Sequence, residues 1–178
     1  MKITPATKHD IPQLVNLINS AYRGEASRKG WTTEADLLAG ELRTDREAME
    51  HLMNTPGAVF LKYTDSDVIV ACVYLHQQDR GLYLGMLSVS PLLQGEGIGK
   101  KLLEAAAIHA STNNCKSIFM QVISLRHELI AWYERNGYRS TGERKPFPAD
   151  NRFGIPTQPL EFIILEKLIT AAGHTGEL

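Results

Sequence analysis

Leu84–Ala107, LGMLSVSPLLQGEGIGKKLLEAAA, is the stretch whose reading decides the fold. Met86, Leu87 and Val89 form a short apolar run of strand character, and Pro91 ends it. Gly95, Gly97 and Gly99 alternate through a short loop, after which Leu102, Leu103, Ala106 and Ala110 recur at helical spacing. The order is strand, loop, helix. Glycines between a strand and a helix let the backbone approach a ligand closely. The first N–H groups of the helix have no partner inside it and lie at the positive end of its dipole, a setting that suits a phosphate.

The spacing narrows the choice of phosphate ligand. A nucleoside-triphosphate loop needs Gly, four residues, Gly, Lys and then Ser or Thr. Counted back from Gly99-Lys100, the first glycine position is Gln94, and the position after Lys100 is Lys101, so both ends fail. The dinucleotide fingerprint read from Gly95 needs a glycine at Lys100 and fails too. Gln94-x-x-Gly97-x-Gly99 remains. In this motif the chain resembles the GNAT superfamily of acyl-CoA-dependent N-acetyltransferases, whose coenzyme A loop reads Gln or Arg, two residues, Gly, one residue, Gly or Ala. The bland alternative is a structural glycine turn.

A second motif supports the likeness. Leu129, Ile130 and Tyr133 share a helical face that ends at Asn136 or Gly137, and Gly137 suits the left-handed position after a helix. Tyr133-Glu134-Arg135-Asn136-Gly137-Tyr138 resembles the superfamily's helix end of Tyr, Glu, two residues, Gly and an aromatic. The resemblance spans roughly Lys2 to Leu168. Trp31–Glu34 together with Arg126–Tyr133 resembles a group of small bacterial members, a likeness that names no substrate.

The remaining chain fits an α+β fold. Ile11, Leu14, Val15, Ile18, Ala21 and Tyr22 predict a helix over about Ile11–Arg23, with Asp10 and Gln13 in the form of a capping box. Thr32 or Thr33 is expected to cap a second helix reaching about Ala39, and a further helical piece runs over Asp45–Met53. Ala58–Tyr63, Val68–His76 and Leu82–Val89, separated by turn residues, predict a three-stranded antiparallel meander. Ser117–Ile123 follows the glycine helix as a parallel neighbour of the third of these strands. Another strand runs from Tyr138 to about Thr141. Glu143–Pro159, with four prolines, reads as a long loop. Leu160–Leu168 is the last strand and 169–178 a tail. The resemblance implies the GNAT fold, a mixed central sheet of about six to seven strands with helices on both faces, as one domain over 1–168.

Composition sets outer bounds. At 178 residues a single domain with a real core is expected. A net charge of −1 gives no support to a nucleic-acid or anionic-membrane surface, and no apolar run approaches the roughly 20 residues of a membrane span. Cys72 and Cys115 lie in apolar surroundings of predicted strands, outside any metal-ligand spacing. They read as buried reduced thiols, which points to the cytoplasm. No metal is expected, and a homodimer is left open.

The resemblance implies acetyl transfer from acetyl-CoA to an amine by direct attack, on a small-molecule amine or amino acid, with a protein amine as the alternative acceptor. It implies coenzyme contacts at Leu87, Ser88, Val89, Gln94, Gly95, Glu96, Gly97, Ile98, Gly99, Lys100 and Arg126. An N–H of Leu87–Val89 would stabilise the oxyanion, with Gly85 marking a bulge. Tyr133 holds the position of the acid that protonates the leaving thiolate. Its free phenol pKa of about 10, against about 8.5 for a cysteine-like thiol, makes it a plausible donor when held close.

Two positions depart from the family pattern. Arg126 stands where some members have an asparagine touching the coenzyme, and is free to meet a phosphate or a substrate carboxylate. Gln121 stands where some have a glutamate base. No base is assigned, although Glu34, Glu161 or a water relay are open to the role. Tyr22, Trp31 and Phe147 are substrate-side candidates, with Arg23, Arg43, Arg152 and Phe153 behind them. A non-catalytic acyl-CoA-binding module on the same fold is the reading from another class.

Overall fold

Period-two alternation builds the centre of the molecule. In the computed structural model, which describes residues 2–170, β3 (Ala58–Asp65), β4 (Val68–Gln78) and β5 (Gly81–Val89) form an antiparallel meander. β1 (Lys2–Pro5) pairs with β3 at one edge. Beyond β5 lie β6 (Ser117–Ile123), β9 (Glu161–Leu168) and β7 (Arg139–Pro146), giving seven strands in the order β1-β3-β4-β5-β6-β9-β7. Only the β5–β6 pair is parallel. It is joined through α4 (Ile98–Thr112), as a parallel connection requires a crossover. A small second sheet pairs β2 (Leu38–Ala39) with β8 (Ile155–Pro156).

Successive residues of a strand face opposite sides. Phe60, Cys72 and Tyr74 therefore pack under α1 (Ile11–Tyr22) and α3 (Arg46–Asn54), through Leu14, Ile18, Ala21 and Met49. Leu61, Val73 and Leu75 face the other way, onto Leu102, Leu103, Ala106 and Ala110 of α4 and Tyr133 of α5 (His127–Arg135). The mixed sheet with helices on both faces agrees with the expected α+β architecture.

Several local expectations fail for tertiary reasons. Asp10 does not form a box with Gln13. Its carboxylate accepts the Thr7 N–H at 2.7 Å and pairs with Lys62 at 2.8 Å, while Gln13 Oε1 accepts the Ile69 N–H. No helix spans 32–39. The Thr32 hydroxyl donates to Ala21 O and Glu34 N–H donates to Tyr22 O, and the Thr33 hydroxyl, shared between Ser27 and the Ala35 N–H, closes a local turn that no helix continues. Helix appears instead as one turn, α2 (Gly24–Ser27). The segment 143–159 is not loop throughout. β7 runs to Pro146 on the sheet's outer edge, where a missing N–H costs nothing, and Ile155–Pro156 pairs with β2. Cys115 sits in the turn before β6 rather than in a strand, and both thiols are buried. The expected tail beyond residue 170 lies outside the described residues.

Candidate active site

β5 and β6 pair only at Leu82–Ile118 and Tyr83–Phe119 and then part. The β4–β5 register slips just beyond the last of these pairs. Gly85 faces Tyr74 and Ser88 faces Cys72, so Met86 and Leu87 share one opposing residue. Such a bulge bends and over-twists its strand. The left-handed residue is Met86, with φ 50°, and Gly85 only flanks the irregularity. Beyond the bulge Ser90 donates its N–H to Val70 O. Alternation along an antiparallel ladder then turns the Val89 N–H away from β4, into the split.

A cleft of about 510 Å³ opens there, bounded by β5, the glycine loop, the start of α4 and α5. The glycine loop is built for close approach. Gly95 and Gly97 have φ 89° and 79°, and a Cβ on either would meet no atom within 4 Å, projecting into open space. Gly97 caps α4 without a side chain, leaving the first N–H groups of the helix unclaimed by a cap. Gly99 is required for another reason: its Cβ would come within 3.2 Å of the Trp132 ring, so glycine lets α4 and α5 close on one another. Lys100 and Arg135 supply positive charge at the rim. Backbone donors, a bare glycine cradle and two cations fit a coenzyme A pyrophosphate.

Gln94 contributes differently from the loop around it. Its Oε1 accepts the Trp31 N–H at 2.8 Å, and its Nε2 donates to the Thr32 hydroxyl and to Val89 O. The side chain latches residues 31–32 to the end of β5. Leu87, Val89, Ile98 and Lys100 line the cleft. Ser88 is buried with its hydroxyl on Met86 O, and Glu96 is exposed outside the cleft wall. Leu129, Trp132, Arg135 and Asn136 also line the cleft and were not among the expected residues. The helical period from Leu129 through Tyr133 carries them, since positions three, four and seven apart share one face.

Tyr133 stands at the centre. It is buried, packed edge-on to Trp132 and Tyr138, and burial pushes its phenol well above the usual tyrosine range. Among the described residues no hydrogen bond holds its hydroxyl. Tyr22 is the opposite case: its hydroxyl donates to Leu87 O, and burial pushes it up to about 12.

A second, smaller cavity of about 80 Å³ lies on the far side of the split. Tyr22, Leu87, Leu129 and Tyr133 line both spaces, so the two meet at the Tyr133 side chain. Glu34, Arg43, Tyr83, Gln121, Arg126 and Phe162 complete much of the smaller wall. Glu34 is clamped at both oxygens, by Arg23 at 3.0 Å and Arg126 at 3.4 Å. Arg126 also donates to Thr32 O and lies 5.8 Å from the Tyr22 ring centre. It thus belongs to the wall of the smaller cavity, away from the glycine loop. Trp31 packs 6.1 Å from Trp132 on the larger cleft, not on the smaller one. Phe147 stacks behind Phe162, outside both linings. Arg152 is engaged with Asp45 and Glu47, Phe153 gives its carbonyl to Arg23, and Glu161 pairs with Arg144.

A split sheet with a glycine-lined loop at one mouth and a smaller cavity at the other is the arrangement of an acyltransferase. Solved structures share the fold across nearly the whole chain. The smu.2055 protein of Streptococcus mutans superposes with a TM-score of 0.72 at 18% identity, covering 96% of this chain and 100% of that one. The ribosomal-protein-S18-alanine N-acetyltransferase of Escherichia coli gives 0.72 at 15% identity, covering 99% of each chain. A GNAT-family acetyltransferase of Staphylococcus aureus gives 0.67 at 19%, covering 95% and 99%. No curated protein matches the chain in sequence. Residues 11–138 match the Acetyltransferase (GNAT) family, and the chain belongs to it. Members use an acyl-CoA cosubstrate. Among the described residues, no helix is long and apolar enough to cross a membrane.

Proposed function

We propose that the chain transfers an acetyl group from acetyl-CoA to the primary amine of a small molecule or amino acid, by direct attack. The observation that carries this reading is the meeting of the two cavities at Tyr133, whose hydroxyl no described residue claims. Bound acetyl-CoA supplies an activated acetyl thioester. The glycine loop and α4 hold its pyrophosphate, and the split admits its arm between β5 and β6. The Val89 N–H, aimed into the split, donates to the carbonyl oxygen as negative charge develops there. A new nitrogen–carbon bond forms as the carbon–sulfur bond breaks. Tyr133, kept neutral by burial, gives its proton to the departing sulfur and is reprotonated from solvent. The amine loses its proton to solvent through the smaller cavity.

The sequence offers Gln121 where a base would be expected, and Glu34 has both oxygens engaged. Electrostatics supports a neutral amine instead. The groups facing the smaller cavity are Tyr22, Glu34, Arg43, Tyr83, Arg126 and Tyr133, with Arg23 behind Glu34. Three guanidiniums against one carboxylate disfavour a further positive charge, which lowers the proton affinity of a bound ammonium. No protein nucleophile is needed. Burial raises the Cys72 thiol to about 12 and shifts Cys115 upward as well, and neither lines the cleft.

Tyr133→Phe tests the assignment. Free-thiol release from acetyl-CoA is followed over a panel of amines, amino acids, aminoglycosides and peptides. The expected result is acceptor-dependent release, with kcat reduced about 10²-fold or more in the variant and coenzyme A binding unchanged. Unchanged kcat would remove Tyr133 from the chemistry. Coenzyme A binding without release for any acceptor would favour a binding module.

A further inference from the structure

The smaller cavity has an excess of positive charge that no described residue neutralises. Arg43 and Arg126 line it, and Arg23 stands immediately behind, while Glu34 is the sole acid among the described lining residues. Glu34 is already shared between Arg23 and Arg126. Arg43 is left over. Its backbone N–H is fixed by Asn19 Oδ1 at 2.7 Å, which sets where the side chain starts. The residue is partly buried against the cavity and, among the described residues, its guanidinium has no ion pair or hydrogen bond. It lies close enough to Tyr22, Tyr83 and Arg23 to bias their ionisation. A guanidinium taken partly out of water without a partner is costly unless an anion completes it. Arginine presents a planar fork of donors suited to a carboxylate, so the missing partner has a definite chemistry.

We propose that the acceptor amine carries an anionic group, a carboxylate in the simplest case, and that Arg43 binds that group in the smaller cavity with Arg126 beside it. The proposal rests on the transferase reading and narrows its substrate class. The anion seats at the arginines, and the amine of the same small molecule then points back toward Tyr133, where the two spaces join. An α-amino acid carries both groups, the carboxylate and the amine, on one carbon. Polyamines, aminoglycosides and lysine-rich peptides are excluded by the same field, since they bring cations to a cationic pocket. Arg43 is then a specificity residue that binds the acceptor and takes no part in proton transfer.

The test compares L-amino acids with their carboxamides, which keep the amine and the side chain and remove the charge. Binding is read by calorimetric titration into the coenzyme A complex, and turnover by thiol release. The expected result is binding and turnover of one or more amino acids, with the matching carboxamide weaker in kcat/KM by about tenfold to a hundredfold, as loss of a charge-assisted pair predicts. Arg43→Gln should erase that preference through KM, with coenzyme A affinity and thermal stability retained. Arg43→Lys should restore part of it. Equal use of acid and carboxamide, or a preference for polycations, would overturn the proposal while leaving the transferase reading intact. Absence of amino-acid binding would overturn it as well. Failure to bind coenzyme A would instead sink the transferase reading.

Discussion

Replacing Glu34 by glutamine should cost the fold more than the loss of any surface ion pair. Glu34 is the only acid in a buried group with Arg23 and Arg126, at 3.0 and 3.4 Å, and the side chains of all three are at most 9% exposed. The substitution keeps the shape and removes the charge. It also turns an amide N–H₂ toward one of the guanidiniums, setting donor against donor. Removing one partner of a buried pair leaves uncompensated charge and costs about 3–5 kcal/mol. The exposed pair Arg46–Glu50, at 80% and 43% exposure, provides the control at about 0–1 kcal/mol. Against a total stability of about 5–15 kcal/mol, the first change is severe and the second is not. For a chain of this length the Glu34→Gln loss corresponds to a fall in Tm of roughly 6–20 °C. Urea unfolding followed by circular dichroism, with Glu50→Gln alongside, measures both. A loss below about 1 kcal/mol for Glu34→Gln would refute the picture of a dry, interlocked triad, because only solvated charges are that forgiving.

Two further outcomes follow from the same geometry. Burial raises the Tyr22 phenol from about 10 to about 12, so the folded state holds that proton more tightly than the unfolded one. Its contribution is fully present below pH 10 and is lost as pH rises through 12, about 3 kcal/mol for the two-unit shift. Tyr22→Phe should flatten that part of the alkaline stability profile. At neutral pH it should cost about 1–3 kcal/mol, because Leu87 O loses its donor. Equilibrium unfolding at pH 7, 10 and 11 decides both points, and an unchanged alkaline slope would count against the buried phenol. Gly97→Ala places a side chain at φ 79° and projects a methyl into the cradle. About 1–2 kcal/mol of stability should be lost to the left-handed backbone, and coenzyme A should bind about tenfold more weakly. Titration calorimetry would show the second effect, and unaltered affinity would move the pyrophosphate away from this loop.

Much of the architecture was legible because it is local. Alternation in Ala58–Tyr63 and Val68–His76 places Phe60 and Leu61 on opposite faces whatever lies beyond them, and the structure extends both strands without moving them. Gly95, Gly97 and Gly99 announce a backbone that approaches something closely. Tyr133 and its helical neighbours can be read from a single amphipathic face. Local rules misled where side chains serve distant elements. Thr32 and Thr33 look like helix caps in sequence, yet their hydroxyls bond Ala21 O and Ser27. Ile155–Pro156 looks like loop because its pairing partner is Leu38–Ala39, far away in the chain.

The mixed sheet, the glycine loop and the phenol beside it were legible in the chain alone, since each depends on spacing within one element or across one turn. Tertiary structure decided the character of the acceptor side. Arg126 and Glu34 are 92 residues apart in the chain and meet only because the sheet brings α5 against the segment that follows α2. Once they meet, with Arg23 on Glu34's other oxygen, both charges of the pair are spent and Arg43 stands alone. Net charge cannot reveal such an excess, because it sums over the whole chain what the fold concentrates in one cavity. The bulge at Met86 is decided in the same way: a non-glycine residue takes φ 50° where two residues of β5 face one of β4, in the stretch where β5 has already parted from β6.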